Sequence, residues 1–150
     1  MSEQTNFGGT FSISEAAANS DLTLSGFTAL TFVLVPNIGN HGPSGVSQNV
    51  VSFSTWDRNV ASKGKGEANA GDPTVTFLDI VSAGMTLMLA AADVDDSNSY
   101  GFKVTWPDGS VEYNRGIVTG PARPKGGNED FKTLEFTLGF NQVPVIVDAT

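Results

Sequence analysis

The sequence predicts a mostly β fold of the α+β class: an antiparallel β-sandwich or half-barrel with one flanking α-helix and one long projecting loop. Apolar and polar residues alternate strictly in residues 99–106 and again in residues 110–113. A Pro107-Asp108-Gly109 turn separates the two runs, which indicates a β-hairpin. The 17 glycines and 7 prolines imply many turns and therefore short strands. A single segment, Ser82–Ala92, has a good helical pattern.

The N-terminal residues 1–20 are small and polar, and their only large apolar residues are Phe7, Phe11 and Ile13. We expect an N-terminal arm or a short edge strand that docks through its phenylalanines. Residues 22–24 alternate Leu-Thr-Leu and are predicted to add another short strand.

The first long apolar run is Thr28–Val35, whose β-branched and aromatic content favours a strand covered on both faces. Pro36–Gly45 is punctuated by glycine and proline and is predicted to be a loop. Val46–Asp57 alternates imperfectly, with apolar residues on both faces. That pattern indicates a strand that leaves the core and becomes a projecting arm.

The glycine-rich residues 58–73 contain no large apolar residue after Val60. Such a segment cannot cover a core, so we expect it to project as a loop that is mobile in the isolated subunit. The chain returns to the body as a strand over Thr74–Ile80, where apolar residues recur.

The predicted helix, residues 82–92, carries one apolar stripe that should pack on the sheet. Ser82 is its expected N-cap because a serine hydroxyl can accept a hydrogen bond from a first-turn N–H. The stripe stands at positions i, i+3, i+4 and i+7, occupied by Met85, Met88, Leu89 and Ala92.

The last strong strand alternates an apolar face with the polar face Thr133, Glu135 and Thr137. The C-terminal segment 141–150 contains a final apolar run, residues 143–147. Residues 1–150 are read as a single domain. The predicted core residues are Met85, Met88, Leu89, Phe102, Val104, Leu134, Phe136 and Leu138.

Composition excludes several classes of function. The chain has no cysteine, so a disulfide framework, a thiolate zinc site and a cysteine nucleophile are all excluded. A formal net charge of −8 argues against sequence-specific nucleic-acid binding, which gains affinity by neutralising phosphates. The N-terminus lacks a basic region followed by an apolar stretch, and no apolar run approaches ~20 residues. We therefore expect synthesis in the cytoplasm. Charged residues make up only 16% of the chain, which favours a subunit that buries its faces in an assembly.

The residues that could form a catalytic, metal or phosphate site are better explained as ordinary turn and loop residues. Asp93–Asn98 begins like a calcium loop, but Asn98 stands where glycine is needed and Val104 where a bidentate glutamate is needed. His41 is the only histidine and stands in a predicted surface loop. Lys63-Gly64-Lys65-Gly66 lacks the context of a phosphate-binding loop. We predict no catalytic residue, cofactor or metal site, and no enzymatic activity.

The order of these elements resembles that of the tail tube proteins of long-tailed bacteriophages, from about Thr31 to Val147. The tightest match runs from Tyr100 to Gly109, Tyr-Gly-Phe-Lys-Val-Thr-Trp-Pro-Asp-Gly. The other marks are the strand 31–35, the glycine-rich segment 58–73, the strand and helix of 74–92, Gly116-Ile117-Val118, the stretch 126–130 and the final alternating strand.

This resemblance implies a subunit that joins five copies of itself in a hexameric ring, where the inner sheet faces close into a β-barrel. Rings would stack into the tail tube of a virion, assembled after synthesis in the host cytoplasm, and DNA would pass through the lumen without specific binding. Tail-tip, tape-measure and tail-terminator proteins are the implied partners. The lumen candidates are Glu112 and Glu135. The projecting loop would contact the next ring, with charged residues Arg58, Lys63, Lys65, Glu67 and Asp72.

Three alternatives remain. The same fold class occurs in contractile-tail tubes and in secretion-system tube proteins. A β-sandwich binding module for carbohydrate or a receptor would use aromatic residues such as Trp56, Trp106 and Tyr113, and would be a monomer or small oligomer. A small enzyme is the third, although no catalytic motif supports it.

Overall fold

The computed structural model describes residues 5, 8–57 and 59–148, so the predicted anchor Phe7 and the predicted contact Arg58 lie outside the described residues. All eight strand pairings within that part of the chain are antiparallel, which confirms the mostly β fold class. Neither helix is long and apolar enough to cross a membrane. The elements are β1 Thr10–Ala17, α1 Leu24–Thr28, β2 Phe32–Val35, β3 Ile38–His41, β4 Ser47–Phe53, β5 Ser62–Asn69, β6 Thr74–Leu78, α2 Ala83–Ala91, β7 Tyr100–Thr105, β8 Val111–Ala122, β9 Thr133–Phe140 and β10 Val145–Val147.

One large sheet forms the body, in the order β2-β1-β7-β8-β9-β6-β3, and β10 pairs with β8 beyond the end of β9. The sheet curls, because β1 and β6 have three strands between them and yet the rings of Phe11 and Phe77 lie 5.6 Å apart. Only Pro36 and Asn37 connect the two edge strands β2 and β3. The sheet nevertheless remains open in the single subunit.

The core fills the concave side of this curled sheet. Phe102, Leu134, Phe136 and Leu138 are at most 1% exposed, whereas Val104 is half-buried and packs against the core from its edge. They face inward because β7 and β9 alternate with period two. The other fully buried large side chains are Phe11, Ile13, Val35, Val75 and Phe77 on the sheet, Met88 on α2 and Phe27 on α1.

Helix α2 occupies the predicted helical segment, and the hydroxyl of Ser82 accepts a hydrogen bond from the Met85 N–H at 3.1 Å. Met85 and Met88 are buried in the core. Leu89 was predicted to be a core residue of the same stripe, but its side chain is 37% exposed. The buried side of α2 consists of Met85, Met88, Ala91 and Ala92. Leu89 lies about 100° around the helix from Met88 and so falls at the margin.

The N-terminal third departs from the predictions in three ways. β1 is an interior strand between β2 and β7, not an arm or an edge strand. Residues 22–24 form no strand; Thr23 caps the short helix α1 instead, by accepting from the Gly26 N–H. β2 is an edge strand whose Leu34 is 51% exposed, so it is not covered on both faces.

Two segments predicted as loops contain strands. β3 lies within the predicted loop 36–45 and pairs with β6. β5 lies within the predicted loop 58–73 and pairs with β4 from Ser47↔Asn69 to Phe53↔Ser62. A strand of Ser, Lys and Gly buries no core, but its pairing with β4 satisfies backbone N–H and C=O groups while the side chains stay in water. The segment projects as predicted, as one strand of a hairpin.

Candidate functional site

The β4–β5 hairpin forms a two-stranded sheet of its own outside the main sheet. All seven residues of β4 are exposed. The hairpin leaves the body at Gly45 and Gly71, whose φ angles of 139° and 97° are ones that residues with a side chain rarely adopt. The side chain of Asn69 accepts a hydrogen bond from the Gly71 N–H at 2.9 Å and braces this base.

The strand register gives the hairpin two chemically different faces. Val51 and Phe53 lie opposite Gly64 and Ser62, and we call this the apolar face. On the other side, Val50 and Ser52 lie opposite Lys65 and Lys63, and we call this the basic face. Paired residues of an antiparallel ladder project to the same side, so the lysines point away from Phe53.

Large apolar side chains of the hairpin are bare to solvent. Phe53 and Val50 are each 72% exposed, Val60 is 67% exposed, and Trp56 at the turn is completely exposed. Contiguous apolar patches of more than a few hundred Å² are rare on monomers and mark interaction sites. This arm therefore has the character of a contact surface that the single subunit leaves uncovered.

A second uncovered surface is the outer face of β3, β6, β9 and the C-terminal half of β8. Here Thr74 lies opposite Thr137, and Thr76 opposite Glu135. We call this surface the threonine face; its members are Thr74, Thr76, Thr119, Thr133, Glu135 and Thr137. The register directs the charged side chain of Glu135 to this face, and the carboxylate of Asp72 lies at its edge, 3.6 Å from where a Cβ atom of Gly139 would stand.

Helix α1 and the chain that follows it cover another part of the outer sheet surface. Phe27 of α1 stacks on Tyr113 of β8 with ring centroids 5.3 Å apart. At Gly101 of β7, a Cβ atom would come within 2.8 Å of Leu30, so the chain that follows α1 lies directly on the strand. The outer surface of the sheet is thus covered around Tyr113 and Gly101, whereas the threonine face has no such cover.

Glu112 does not lie on an outer face. It pairs with Val104 across β7 and β8, on the side that faces the core, and is only 6% exposed. Its carboxylate accepts hydrogen bonds from Ser44 at 2.6 Å and from Asn114 at 2.9 Å. The register therefore turns the lumen candidate Glu112 toward the core side of the single subunit, where it is buried.

Glu112 also lines a cleft of about 590 Å³ together with Trp106 and His41. His41 is half-buried, with its Nδ1 2.6 Å from the carbonyl oxygen of Gly42 and its ring 5.7 Å from that of Phe11. It belongs to β3 and not to the exposed loop that the sequence predicted. Among the described residues, no group of three or more His, Asp or Glu side chains could hold a metal ion.

The acidic run after α2 is a hydrogen-bonded turn. Backbone N–H groups of Asp95 and Asn98 donate to the carboxylates of Asp93 and Asp96, each at 2.9 Å. The Tyr100 hydroxyl donates to Asp96 at 2.6 Å. This bond lowers the pKa of Asp96 below its ordinary value and raises the pKa of the Tyr100 hydroxyl.

The predicted site residues fall on separate surfaces. Lys63, Lys65 and Glu67 are exposed on β5, and Asp72 is exposed at the hairpin base. Glu135 lies on the threonine face, and Asp72 reaches the edge of that face beside Gly139. The apolar face was not predicted from the sequence, although the imperfect alternation of Val46–Asp57 placed Val51 and Phe53 on one side and was the available signal.

No protein-family model and no curated protein matches the chain. The solved structures that share its fold include two large protein assemblies. One is described as the baseplate of the anti-feeding prophage, six-fold symmetrised, with a TM-score of 0.69 and 8% identity over 99% of this chain and 98% of that one. The other is described as the sheath-tube complex of an extracellular contractile injection system, PVC, in the extended state, with a TM-score of 0.56 and 13% identity over 95% and 88% of the two chains. The chain therefore shares the fold of these two proteins.

Proposed function

We propose that this chain is a structural, non-enzymatic subunit that assembles as hexameric rings stacked into a tail tube. The observation that carries the proposal is the β4–β5 hairpin, which projects with Phe53 and Trp56 uncovered. Covering an apolar arm of this kind with another surface removes its apolar area from water, which is favourable. Repetition of one contact between copies of a chain gives rings where the rotation closes and filaments where it does not.

The threonine face supplies the lining of the tube in this proposal. It is polar and lacks a basic side chain among its described members, and Glu135 adds a negative charge. DNA carries one negative charge per roughly 1.7 Å of helix axis, so lysines or arginines repeated around a ring would hold it. A lining of threonine and glutamate lets DNA pass without specific binding.

The likeness to two chains from injection particles supports a place in a particle of this kind. The partners would be further copies of the chain together with tail-tip, tape-measure and tail-terminator proteins, in a virion tail. The tube of a contractile injection system is a second candidate, because both resembling structures are described as parts of contractile or prophage-derived particles.

Negative-stain electron microscopy at high protein concentration tests the proposal. Rings or hollow tubes are expected, and a variant with residues 47–69 replaced by a short Gly-Ser link is the matched control that should remain unassembled. Sedimentation as a monomer under all conditions, including crowding and added tail-tip components, would overturn the proposal.

A further inference from the structure

The cleft of about 590 Å³ opens at the end of the curled sheet where β1 and β8 begin and β7 ends. The register places Thr10 opposite Thr105 and Thr105 opposite Val111, so these three strand ends lie side by side. The end of β3 reaches the same point, because the ring of His41 lies 5.7 Å from that of Phe11. We call this cleft the mouth of the sheet. Its volume is in the range of small-molecule sites, which occur preferentially at places such as the mouths of β-barrels.

Glu112 brings a buried negative charge to the mouth. Its side chain lines the cleft and is almost fully buried. The two groups that donate to its Oε2, the Ser44 hydroxyl at 2.6 Å and the Asn114 amide at 2.9 Å, are both uncharged. None of the ion pairs formed within the described residues includes Glu112. Because a carboxylate withdrawn from water is normally compensated by a cation, a positive charge is the complement that this site lacks.

The buried side chain of Asn114 holds this carboxylate in place. Asn114 stands opposite Phe102 on the core side of the sheet and is fully buried. Its amide nitrogen must point to Glu112, because the amide oxygen would place two acceptors against each other. That oxygen has no hydrogen-bond partner in the described part of the chain, and burial of an unsatisfied acceptor destabilises a fold. An apolar residue would avoid this cost, so the carboxylate that Asn114 holds explains it better than packing does.

His41 adds a second acceptor to the lining of the mouth. Its Nδ1 lies 2.6 Å from the carbonyl oxygen of Gly42, and a carbonyl can only accept, so Nδ1 carries the hydrogen. In the neutral ring Nε2 is therefore an acceptor, and among the described residues it has no hydrogen-bond partner. A ligand that matches Glu112 and His41 must carry hydrogen-bond donors.

The remaining lining determines the kind of cation. Ile38, Val104 and Trp106 line the mouth and are half-buried, so an apolar body that covered them would remove further apolar area from water. The face of an indole ring also attracts a cation. A bare metal ion does not fit, because the described residues contain no group of three or more His, Asp or Glu side chains that could hold one. An ammonium group with three N–H donors on an apolar body meets all of these conditions.

We propose that the mouth of the sheet binds a small organic cation, a primary amine with an apolar body. Its ammonium group pairs with Glu112, and its body packs on Trp106 and Val104. The bonds from Ser44 and Asn114 fix the carboxylate before the ligand arrives, so little conformational entropy is lost on binding. This site goes beyond the proposed function and does not depend on it, because a single subunit supplies every residue that the argument uses.

Titration of the full chain with matched probes tests the site. The cation of 2-phenylethylamine and the neutral 2-phenylethanol share one apolar body and differ in the group that would meet Glu112. The amine should bind at least about tenfold more tightly than the alcohol, and 3-phenylpropionate should not bind, because its carboxylate would face that of Glu112. The amine should also shift the NMR signals of the Trp106 indole N–H and the Asn114 amide. Equal affinity for amine and alcohol, or no detectable binding of the amine, would overturn the proposal.

The Glu112→Gln variant isolates the charge, because glutamine keeps the size and can still accept from Ser44 and Asn114. It should weaken binding of the amine by about tenfold or more and leave that of the alcohol unchanged. Glu129→Gln removes a carboxylate from an exposed loop and should change neither. If Glu112→Gln fails to fold, intermolecular NOEs in the unmodified chain decide: contacts of the amine with Trp106 support the site, and contacts only elsewhere overturn it. Failure of the chain to form rings would remove the proposed function and leave this result unaffected.

Discussion

The side chain of Gln142 pairs with both backbone groups of Leu22. The Leu22 N–H donates to the Gln142 Oε1 at 2.9 Å, and the Gln142 Nε2 donates to the Leu22 carbonyl at 2.9 Å. The same Oε1 accepts from the Arg115 Nε at 3.1 Å, and Arg115 also binds Asp21 at 2.7 Å. One amide thus ties the segment before α1 and the segment after β9 to the middle of β8.

Replacing Gln142 with alanine should lower the free energy of unfolding by about 1–3 kcal/mol. The truncation leaves both Leu22 groups and the Arg115 Nε without their protein partner, and Arg115 is only 6% exposed. Urea denaturation measures the loss. Val143→Ala is the matched control, because Val143 is 63% exposed and its truncation should cost less than about 0.5 kcal/mol. Equal stability of the two variants would show that water replaces these bonds.

A substitution at the centre of the core should lower the free energy of unfolding by more than Gln142→Ala does. Phe136 is fully buried and its ring lies 6.1 Å from that of Phe77. Phe136→Ala should cost about 3–5 kcal/mol, because it removes apolar contacts and leaves a cavity. Thr137→Ala, one residue along on the exposed side of the same strand, should change stability by at most about 0.5 kcal/mol. Similar costs at both positions would contradict the register of β9.

The sequence predicts those parts of the fold in which local pattern and burial agree. Phe102 and Phe136 stand in strictly alternating strands, and Met88 lies in a helical stripe beneath a serine cap, so each position is readable from its neighbours. Leu89 was predicted to be buried but lies at the margin of the core. The helical pattern predicts an apolar stripe, but it does not predict which side of that stripe packs on the sheet.

Other elements depend on partners that the sequence does not reveal. β5 is built from residues of low strand propensity and exists through its pairing with β4. Glu112 is a charged residue that nevertheless faces inward from its strand. It is stabilised there by a hydrogen bond from the hydroxyl of Ser44, which is 68 residues away in the chain and could not be identified from the local pattern.

The hydrogen bond between Asp96 and Tyr100 makes the free energy of unfolding depend on pH. Its folded-state pKa lies below the ordinary value of 3.8, so the bond stabilises the fold above that value and its contribution is lost as the pH falls through the folded pKa. The folded pKa of Tyr100 lies above 10.0, so this contribution is complete below pH 10 and is lost as the pH rises through the folded pKa.

Tyr100→Phe removes the donor and should raise the pKa of Asp96 toward its ordinary value. Carboxyl carbon shifts followed by NMR titration measure this change. Tyr113→Phe, which removes a hydroxyl from another part of the sheet, is the control and should leave the Asp96 titration in place. An unchanged Asp96 midpoint in Tyr100→Phe would mean that the 2.6 Å bond does not form in solution.

Removing the hairpin should separate folding from assembly. No residue of β4 is buried, so replacing residues 47–69 with a short Gly-Ser link removes no core contact. The variant should keep its strand content and a cooperative thermal transition while failing to form tubes. Circular dichroism and sedimentation velocity make the two measurements. A collapsed melting transition would show that the hairpin supports the body of the fold.

The lining of the tube can be tested by reversing one charge. Glu135 lies on the threonine face, and Glu135→Lys changes the charge of that side chain from −1 to +1 in every copy. Tubes should still form, because the side chain is only half-buried and does not belong to the hairpin. They should retain or bind DNA in low salt and release it in high salt, since salt screens phosphate contacts. Glu129→Lys makes the same charge change in an exposed loop and should leave DNA passage unaltered. Equal DNA retention by the two variants would place Glu135 outside the lumen, and the threonine face would then have to be an outer surface of the tube.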